Sequence, residues 1–204
     1  MLKKDPQFAT SMLEIQQKYS ALGVQRDMNN VIGISSNNCR LDQRNSAMSD
    51  VASLLGMQGI IAKSIPMNIV HDGKVYEGTF MEKAKGEDID HLTKDSLALQ
   101  VDADSFNHPT GLKQLADLQI LDYICMNLDR HSGNMIYKFD GLDTGNPQFI
   151  GVQGIDNDYS FIGVCPPADK RLNNFSVALD QISVISEKMA DKILHMKTDD
   201  ITDA

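Results

Sequence analysis

The stretch that decides the fold runs from Leu118 to Phe161 and reads LQILDYICMNLDRHSGNMIYKFDGLDTGNPQFIGVQGIDNDYSF. Its first eight residues place apolar side chains three and four positions apart, a spacing that predicts a helix. Alternating residues from Met135 to Phe139 predict a strand, and Gln148 to Ile155 predicts a second strand. Glycine, asparagine and proline lie between them and indicate a turn. The stretch therefore predicts a helix that leads into a β-hairpin.

Polar residues precede and follow the predicted hairpin in the sequence. Asp129-Arg130-His131-Ser132-Gly133-Asn134 precedes the first strand, and Asp156-Asn157-Asp158 follows the second. An Asp five residues before an Asn has the spacing of a kinase catalytic loop, in which the Asp takes the proton of the acceptor hydroxyl and the Asn binds magnesium. Carboxylate and amide oxygens are ligand types that magnesium accepts. The spacing therefore predicts phosphoryl transfer, against the structural alternative of a polar surface turn.

The string Asp-Arg-His-x-x-Asn, followed by an Asp at the end of a strand, resembles the catalytic core of atypical kinases. These include the phosphoinositide-kinase-like enzymes, the HipA-type bacterial toxin kinases and the actin-fragmin-kinase-like group. The resemblance implies ATP and Mg²⁺ as cofactors, with Asp129 as the catalytic base. It gives Asn134 and Asp156 to the metal, and it gives Arg130 and His131 to shaping the catalytic loop or facing the phosphates.

The resemblance leaves two roles open for Asp158, which either holds a second metal ion or caps the turn. Asp156-Asn157-Asp158 stands where many kinases have Asp-Phe-Gly. The conformational switching of that motif is therefore not implied for this chain.

The same resemblance implies an α+β, protein-kinase-like bilobal fold. A small β lobe with one helix would span residues 1–86, and a mainly helical large lobe would span 87–204 with a catalytic hairpin at 129–158. Few residues remain after the last predicted helix, so we expect a reduced or truncated version of this fold.

Local patterns predict the remaining elements. Helical spacing of apolar residues predicts an N-terminal helix at 6–22, a helix at 42–56 and a last helix from roughly Ser176 to Met196. Strands are predicted within 59–82, and Asp72-Gly73 between them predicts a type I′ hairpin turn. Pro109 and Gly111 are expected to lie in a turn or loop before the helix of the opening stretch.

The resemblance also implies a nucleotide-binding region, formed by the residues at the end of the last predicted strand and by a lysine. Backbone groups from Phe80 to Lys83, with Met81 and Glu82 at their centre, would face adenine. Lys63 in Ile61-Ala62-Lys63 mimics the Val-Ala-Ile-Lys strand of kinases, and Asp50 is the candidate acid to pair with the ATP-binding lysine.

Lys63 departs from the kinase order because it follows the predicted helix instead of preceding it. Two explanations stay open. Lys63 itself, Arg40 or Arg44 has taken over the role, or the strand that carries the lysine is missing from this chain.

The composition of the chain narrows the classes of partner that we expect it to bind. The 204-residue chain has a net charge of −9 and a pI near 4.9, and both nucleic acids and anionic membranes need a basic footprint. A protein Ser/Thr or small-molecule hydroxyl is therefore favoured over a lipid as acceptor, with no nucleic acid and no membrane insertion. The three cysteines form no zinc spacing, which is typical of reduced thiols in a cytoplasmic protein.

Three functional hypotheses follow from these observations. The first is an ATP- and Mg-dependent phosphotransferase. The alternative is a catalytically weak nucleotide-binding pseudokinase or regulatory interaction module, which the missing glycine-rich loop favours. The third is a structural domain in which Asp156 and Asp158 hold calcium, although their spacing falls short of an EF-hand loop.

Overall fold

The computed structural model describes residues 2–3, 40–88, 92, 104–127, 129–161 and 185–197. Within these ranges the protein is α+β, with three helices, a three-stranded antiparallel sheet and a two-stranded one. The elements are β1 (Leu2–Lys3), α1 (Leu41–Leu54), β2 (Ser64–His71), β3 (Lys74–Met81), α2 (Pro109–Ile124), β4 (Met135–Asp140), β5 (Gln148–Gly154) and α3 (Glu187–His195). Short 3₁₀ turns occupy Asp104–Phe106, Ser132–Asn134 and Leu142–Thr144.

The three-stranded sheet has the order β1-β3-β2, and the turn between β2 and β3 agrees with the sequence pattern. His71 pairs with Lys74, so the loop holds two residues. Asp72 and Gly73 have φ values of 50° and 72°, as a type I′ turn requires. The prediction of this hairpin is confirmed, whereas the pairing of β1 with β3 was not predicted.

Helix α1 ends at the glycine that the sequence indicated. Gly56 has a φ of 67°, its N–H donates to the Ser53 carbonyl, and the Met57 N–H donates to the Ala52 carbonyl at 2.7 Å. This pair of bonds is the Schellman motif, in which a left-handed residue satisfies the last helical carbonyls. The predicted range of 42–56 is therefore right to within two residues.

Helix α2 begins earlier than the sequence pattern suggested. Pro109 is its first residue and Gly111 lies inside it, so the prediction that both residues precede the helix is wrong. Proline suits this position because the N–H that it lacks would have no partner within the helix. Gly111 serves packing, since a Cβ atom there would overlap the backbone of Phe149 in β5.

The core lies where α1, α2 and the β4–β5 hairpin meet. Its apolar side chains include Met48, Val51, Leu118, Leu121 and Val152, each at most 2% exposed. Aromatic rings extend this core toward the far end of the hairpin, where Phe106, Tyr137, Phe139 and Phe149 contact one another at centroid distances of 5.2–6.3 Å.

The chain pairs with the β4–β5 hairpin both before β2 and after β3. Ile61 forms a parallel bridge with Gly154, and Glu87 forms an antiparallel bridge with Tyr137. The Gly154 N–H donates to the Ile60 carbonyl at 2.6 Å, and the Ala62 N–H donates to the Gly154 carbonyl at 2.9 Å. Both ends of the β2–β3 hairpin are thus tied to β4 and β5.

The last helix is shorter than predicted within the described residues. Ser186 has an extended backbone, and its side chain accepts from the Met189 N–H, so it is the N-cap of α3. The prediction of a continuous helix from Ser176 is therefore wrong at residues 185–186. The rest of that prediction, at 176–184, lies outside the described residues, as do the helix predicted at 6–22 and most of 1–39. In the part of the chain that the structure describes, no helix is long and apolar enough to cross a bilayer.

Gly111→Ala tests the close approach of α2 to β5. Alanine normally favours a helix over glycine, but here the added methyl group collides with Phe149. We expect the substitution to lower the free energy of unfolding by about 1–3 kcal/mol in urea titrations. Thr110→Ala, one residue earlier at an exposed position, is the matched control and should change little. A Gly111→Ala protein more stable than the wild type would contradict the packing.

Candidate functional site

The Arg130 side chain lies at the centre of the polar residues that the sequence singled out. It is 3% exposed, and all five of its N–H groups have acceptors. Nε and Nη2 donate to the two carboxylate oxygens of Asp122, both at 2.9 Å. Nη1 donates to the backbone carbonyls of Asn134 (2.7 Å) and Ile155 (2.8 Å), and Nη2 also donates to the Asn157 side chain.

These bonds hold three separate parts of the chain around one guanidinium group. Asp122 belongs to the last turn of α2, Asn134 leads into β4, and Ile155 and Asn157 follow β5. The Ile155 N–H also donates to the Asn134 carbonyl at 3.0 Å. The arrangement therefore brings the residues before β4 next to those after β5.

Asp122 is fully buried, and its charge is balanced by direct contacts. Burial raises the pKa of its carboxyl, while the Arg130 guanidinium and the Asn127 amide oppose that shift by hydrogen-bonding the charged form. Asn127 donates to Asp122 at 3.0 Å and accepts from the Asp129 N–H at 3.1 Å. The same network thus positions the backbone of Asp129.

Asp129 and Asn134, the predicted base and the predicted metal ligand, are in direct contact. The Asn134 Nδ2 donates to the Asp129 carbonyl at 2.8 Å and to its carboxylate at 3.4 Å. Because the Asn134 amide nitrogen donates to Asp129, the acceptor that remains on this side chain is its amide oxygen. That oxygen receives no hydrogen bond from the described residues. Carbonyl oxygens of this kind are ordinary ligands of hard cations.

Asp156 lies two residues after the end of β5 and has a φ of 59°. The left-handed region is uncommon for residues other than glycine, and such conformations cluster at functional sites. Asp158 is buried, and its charge acts on Asp129. The hydrogen bond between Ile155 and Asn134 places Asp156 beside Asn134 at the base of the hairpin.

The carboxyl group of Asp129 is electrostatically perturbed. Burial is the main cause that raises its pKa, and the nearby Asp158 charge adds to the increase. His131, the Asn134 hydrogen bond and Arg130 act in the opposite direction. Tyr159 also lies within reach of these charges, since burial and then Asp129 and Asp158 raise the pKa of its hydroxyl.

Arg130 and His131 differ sharply in their surroundings. Arg130 is buried and its donors are taken by protein acceptors, so its contacts serve loop shaping and leave no N–H group for a phosphate. His131 is exposed, and its Nδ1 accepts from the Gly133 N–H at 3.1 Å, which caps the turn at Ser132–Asn134.

Helix α1 contacts the segment that carries Asp156 and Asp158. The Asn45 Oδ1 accepts from the Asn157 N–H at 2.9 Å. The Arg44 Nη1 donates to the carbonyls of Ser160 (2.5 Å) and Phe161 (2.7 Å). Arg44 therefore holds backbone carbonyls, a contact that argues against its use as a replacement for the ATP-binding lysine. Arg40 stands at the N-cap of α1, also with a left-handed backbone.

The predicted nucleotide-side residues lie where β2 begins and β3 ends. Lys63 precedes β2 and is exposed, and its ammonium lowers the pKa of the Asp50 carboxyl, against a larger increase from burial. The Glu82 N–H donates to the Lys63 carbonyl at 2.9 Å, and the Lys63 N–H donates to the Glu82 carboxylate at 3.0 Å. Met81 is the last residue of β3 and pairs with Ser64.

A magnesium site of kinase type fits the donors that the structure brings together. No group of three His, Cys, Asp or Glu side chains suited to a metal occurs in the described part of the chain. A magnesium site of kinase type does not need three such side chains, because magnesium is commonly bound by one or two carboxylates plus substrate phosphates and water. Asn134 and Asp156, with Asp158 nearby, match this smaller set.

Comparisons with known proteins give no family to which the chain is assigned. No family model matches its sequence, and no curated protein is significantly similar to it.

Sequence reasoning missed three residues of the network, Asp122, Asn127 and Asn157. A signal existed for Asp122, which lies four residues after Leu118 and three before Cys125, on the apolar stripe of the helix. An acidic residue on a buried stripe needs a partner, and Arg130 eight residues later was available.

Arg130→Met tests whether the buried ion pair organises this region. Removing one partner of a buried pair leaves an uncompensated charge, so we expect a loss of about 3–5 kcal/mol in urea unfolding. Lys113→Ala breaks the exposed Lys113–Asp117 pair on the same α2 helix and should cost at most about 1 kcal/mol. The double variant Asp122→Leu/Arg130→Met should be more stable than Arg130→Met alone. Equal stability of Arg130→Met and the wild type would refute the role.

A second test concerns the charges around Asp129. NMR titration of its carboxyl carbon should give a pKa above the ordinary aspartate range, and Asp158→Asn should lower it because one like charge is removed. A carboxyl whose folded-state pKa is raised binds its proton more tightly in the folded than in the unfolded state, so this group reduces stability as pH rises through the unfolded value toward the folded one. An unchanged pKa in Asp158→Asn would show that the two carboxyl groups do not interact.

Proposed function

We propose that this protein is an ATP- and Mg-dependent phosphotransferase that acts on a hydroxyl acceptor. The observation that carries the proposal is the contact between Asp129 and Asn134 beside Asp156. Two hydrogen bonds support the proposal: the Asn134 amide donates to the Asp129 carbonyl, and the N–H of Ile155, the neighbour of Asp156, donates to the Asn134 carbonyl. The buried Arg130 side chain donates to the backbone carbonyls of Asn134 and Ile155 on either side of this contact.

The protein groups have distinct roles in this proposal. Asp129, whose pKa burial raises, accepts the proton of the acceptor hydroxyl, since a base is most effective when its pKa approaches the working pH. Asn134 and Asp156 hold the metal, and Asp158 serves as a further carboxylate nearby. Bound Mg²⁺ would neutralise charge on the β- and γ-phosphates. The side chain of His131 keeps the loop in shape through Gly133.

The proposal includes a kinase-like fold for the part that binds the nucleotide. Several features support it. The three-stranded sheet packs on a helix through Ser49 and Ser64, whose hydroxyls are 3.3 Å apart. The Lys63 charge acts on Asp50 of that helix, where it lowers the pKa of the carboxyl against a larger increase from burial, although the lysine follows the helix in the sequence. The segment after β3 then crosses to the catalytic hairpin through Glu87.

Calorimetry with ATP tests the nucleotide site. We expect the wild type to bind ATP only when Mg²⁺ is present, and Asp156→Ala to lose binding by about tenfold or more, because a charged ligand of the metal is removed. Asp143→Asn, in the exposed turn at the other end of the hairpin, is the matched control and should bind like the wild type. Absence of ATP binding by the wild type would refute the proposal.

Transfer itself is tested with γ-labelled ATP and a mixture of Ser/Thr peptides. Asp129→Asn should abolish labelling of the peptides while ATP binding persists, since the base is removed and the metal ligands remain. Labelling retained in Asp129→Asn would remove Asp129 from the mechanism. ATP binding without labelling by the wild type would favour the alternative function, a nucleotide-binding pseudokinase or regulatory module.

A further inference from the structure

Strand β2 lies at the edge of the three-stranded sheet. The strand order is β1-β3-β2, so β2 has β3 on one side and no strand of the described residues on the other. Its residues from Pro66 to His71 are exposed, apart from a partly exposed Met67. An edge strand presents a row of backbone N–H and C=O groups with which another strand can pair.

The register of β2 and β3 identifies the backbone groups of β2 that point away from the sheet. The Glu82 N–H donates to the Lys63 carbonyl at 2.9 Å, and along an antiparallel pair only every second residue bonds to the partner strand in this way. Ser64 therefore directs its backbone to the free side, in agreement with its N–H, which donates to the Ser49 Oγ at 3.3 Å. The same alternation directs the backbone groups of three further residues outward, namely Pro66, Asn68 and Val70.

The half of this edge near α1 is protected, and the half near the β2–β3 turn is open. The Ser64 carbonyl accepts from the Ser46 Oγ at 3.1 Å, and Pro66 has no N–H group to offer. Prolines and charged side chains are common protection for edge strands, but no charged residue occurs from Ser64 to Val70. Within the described residues, the outward backbone groups of Asn68 and Val70 make no hydrogen bond.

The side chains around the open groups are apolar on both faces of the strand. Successive side chains of a strand alternate between its faces, so Met67 and Ile69 share one face and Pro66 and Val70 share the other. Val70 is 70% exposed, and Val75, its partner on β3, is 62% exposed. A strand that is added here should therefore be uncharged, with apolar residues on both of its faces. β2 has these properties itself.

A second copy of β2 fits this edge in antiparallel orientation, about a two-fold axis at Asn68. The two Asn68 residues would exchange N–H···O=C bonds, and each Val70 N–H would donate to the Pro66 carbonyl of the second copy. The N–H group that proline lacks is the one donor that this register leaves out. Side by side, Met67 would meet Ile69 on one face and Pro66 would meet Val70 on the other, which pairs apolar groups with apolar groups.

The charge of the chain limits where two copies can meet. Each copy has a net charge of −9, so their mutual repulsion is smallest where the contact surface itself carries no charge. β3, the neighbouring strand, contains Lys74 and Glu77, whereas the residues from Ser64 to Val70 contain no charged side chain.

We propose that two copies of this chain associate through β2, so that their sheets form one continuous antiparallel sheet across a two-fold axis. The contact is isologous, because the same residues of both copies form it. Few residues take part, which is typical of weak and transient association. The interface goes beyond the proposed phosphotransferase function and uses none of the residues assigned to transfer.

Hydrogen exchange, followed by NMR on the full chain, tests this register. In high salt, which screens the repulsion between the copies, sedimentation should show a dimer as the protein concentration rises. Under the same conditions the amides of Asn68 and Val70 should exchange about tenfold more slowly, because both donate across the axis. The amides of Met67 and Ile69, which point to β3, should change little. A dimer in which Asn68 and Val70 exchange as in the monomer would overturn the proposal.

Two lysine variants with the same added charge separate edge pairing from general charge effects. Val70→Lys should weaken dimerisation by about tenfold or more, because it sets a charge against Pro66 of the second copy. Val75→Lys changes a similarly exposed valine on β3, one strand away from the axis, and should dimerise like the wild type. Equal dimerisation of the two variants would contradict pairing through β2.

Asn68→Pro tests the backbone bonds themselves. The substitution removes an outward N–H group and no bond to β3, and edge strands accept proline at such positions. We expect dimerisation to weaken by about tenfold or more, with an unchanged urea unfolding curve for the dilute monomer. A dimer as stable as that of the wild type would overturn the proposal.

The same measurements identify any other occupant of the edge. Protection of the Asn68 and Val70 amides at every dilution would show that the chain covers its own edge. An edge that stays open in a monomer at the highest concentration, or that a scrambled peptide protects as well as the Ser64–His71 peptide does, would equally overturn self-pairing. Val70→Lys should bind Mg-ATP like the wild type, so a failure of ATP binding contradicts the phosphotransferase proposal alone.

Discussion

The buried ion pair between Asp122 and Arg130 is the interaction on which the rest of the site depends. Transferring two charges from water to a protein interior is costly, and the cost is offset only when the pair has good geometry and its other polar atoms are satisfied. Both conditions hold here, because the guanidinium group uses all five of its N–H groups. The two carbonyls that it binds lie on either side of the hairpin base, one directly before β4 and the other directly after β5. The position of Asn134 relative to Asp156 is therefore a consequence of satisfying one buried cation.

Helix α1 is coupled to the same region by a second set of hydrogen bonds. Asn45 binds the backbone of Asn157, and Arg44 binds the carbonyls of Ser160 and Phe161. A displacement of α1 would leave these polar groups unpaired, at a free-energy cost for each one that stays buried. Helix α1 and the segment that carries Asp156 and Asp158 are thus joined by one connected network of polar contacts.

Local patterns in the sequence predicted those parts of the fold whose cause is local. The type I′ turn at Asp72-Gly73 and the left-handed Gly56 at the end of α1 both follow from backbone preferences of the residues themselves. The five-residue spacing of Asp129 and Asn134 also acts locally, since the Asn134 amide donates to the Asp129 carbonyl across one short turn. By contrast, the pairing of β1 with β3 depends on contacts over more than seventy residues. The role of Asp122 also depends on such contacts, because Asn157 and Ile155 complete its network only after the hairpin has formed.

Charge is unevenly distributed along the β4–β5 hairpin. At its base, burial and the nearby Asp158 charge raise the pKa of Asp129. Farther along β4, burial and the Lys85 ammonium lower the pKa of Lys138, while Glu82 raises it. Like charges held close together in partly buried surroundings are unfavourable unless an opposite charge binds. The charges that oppose the shift at Asp129 are those of His131 and Arg130, and a bound cation at the base of the hairpin is favoured for the same reason.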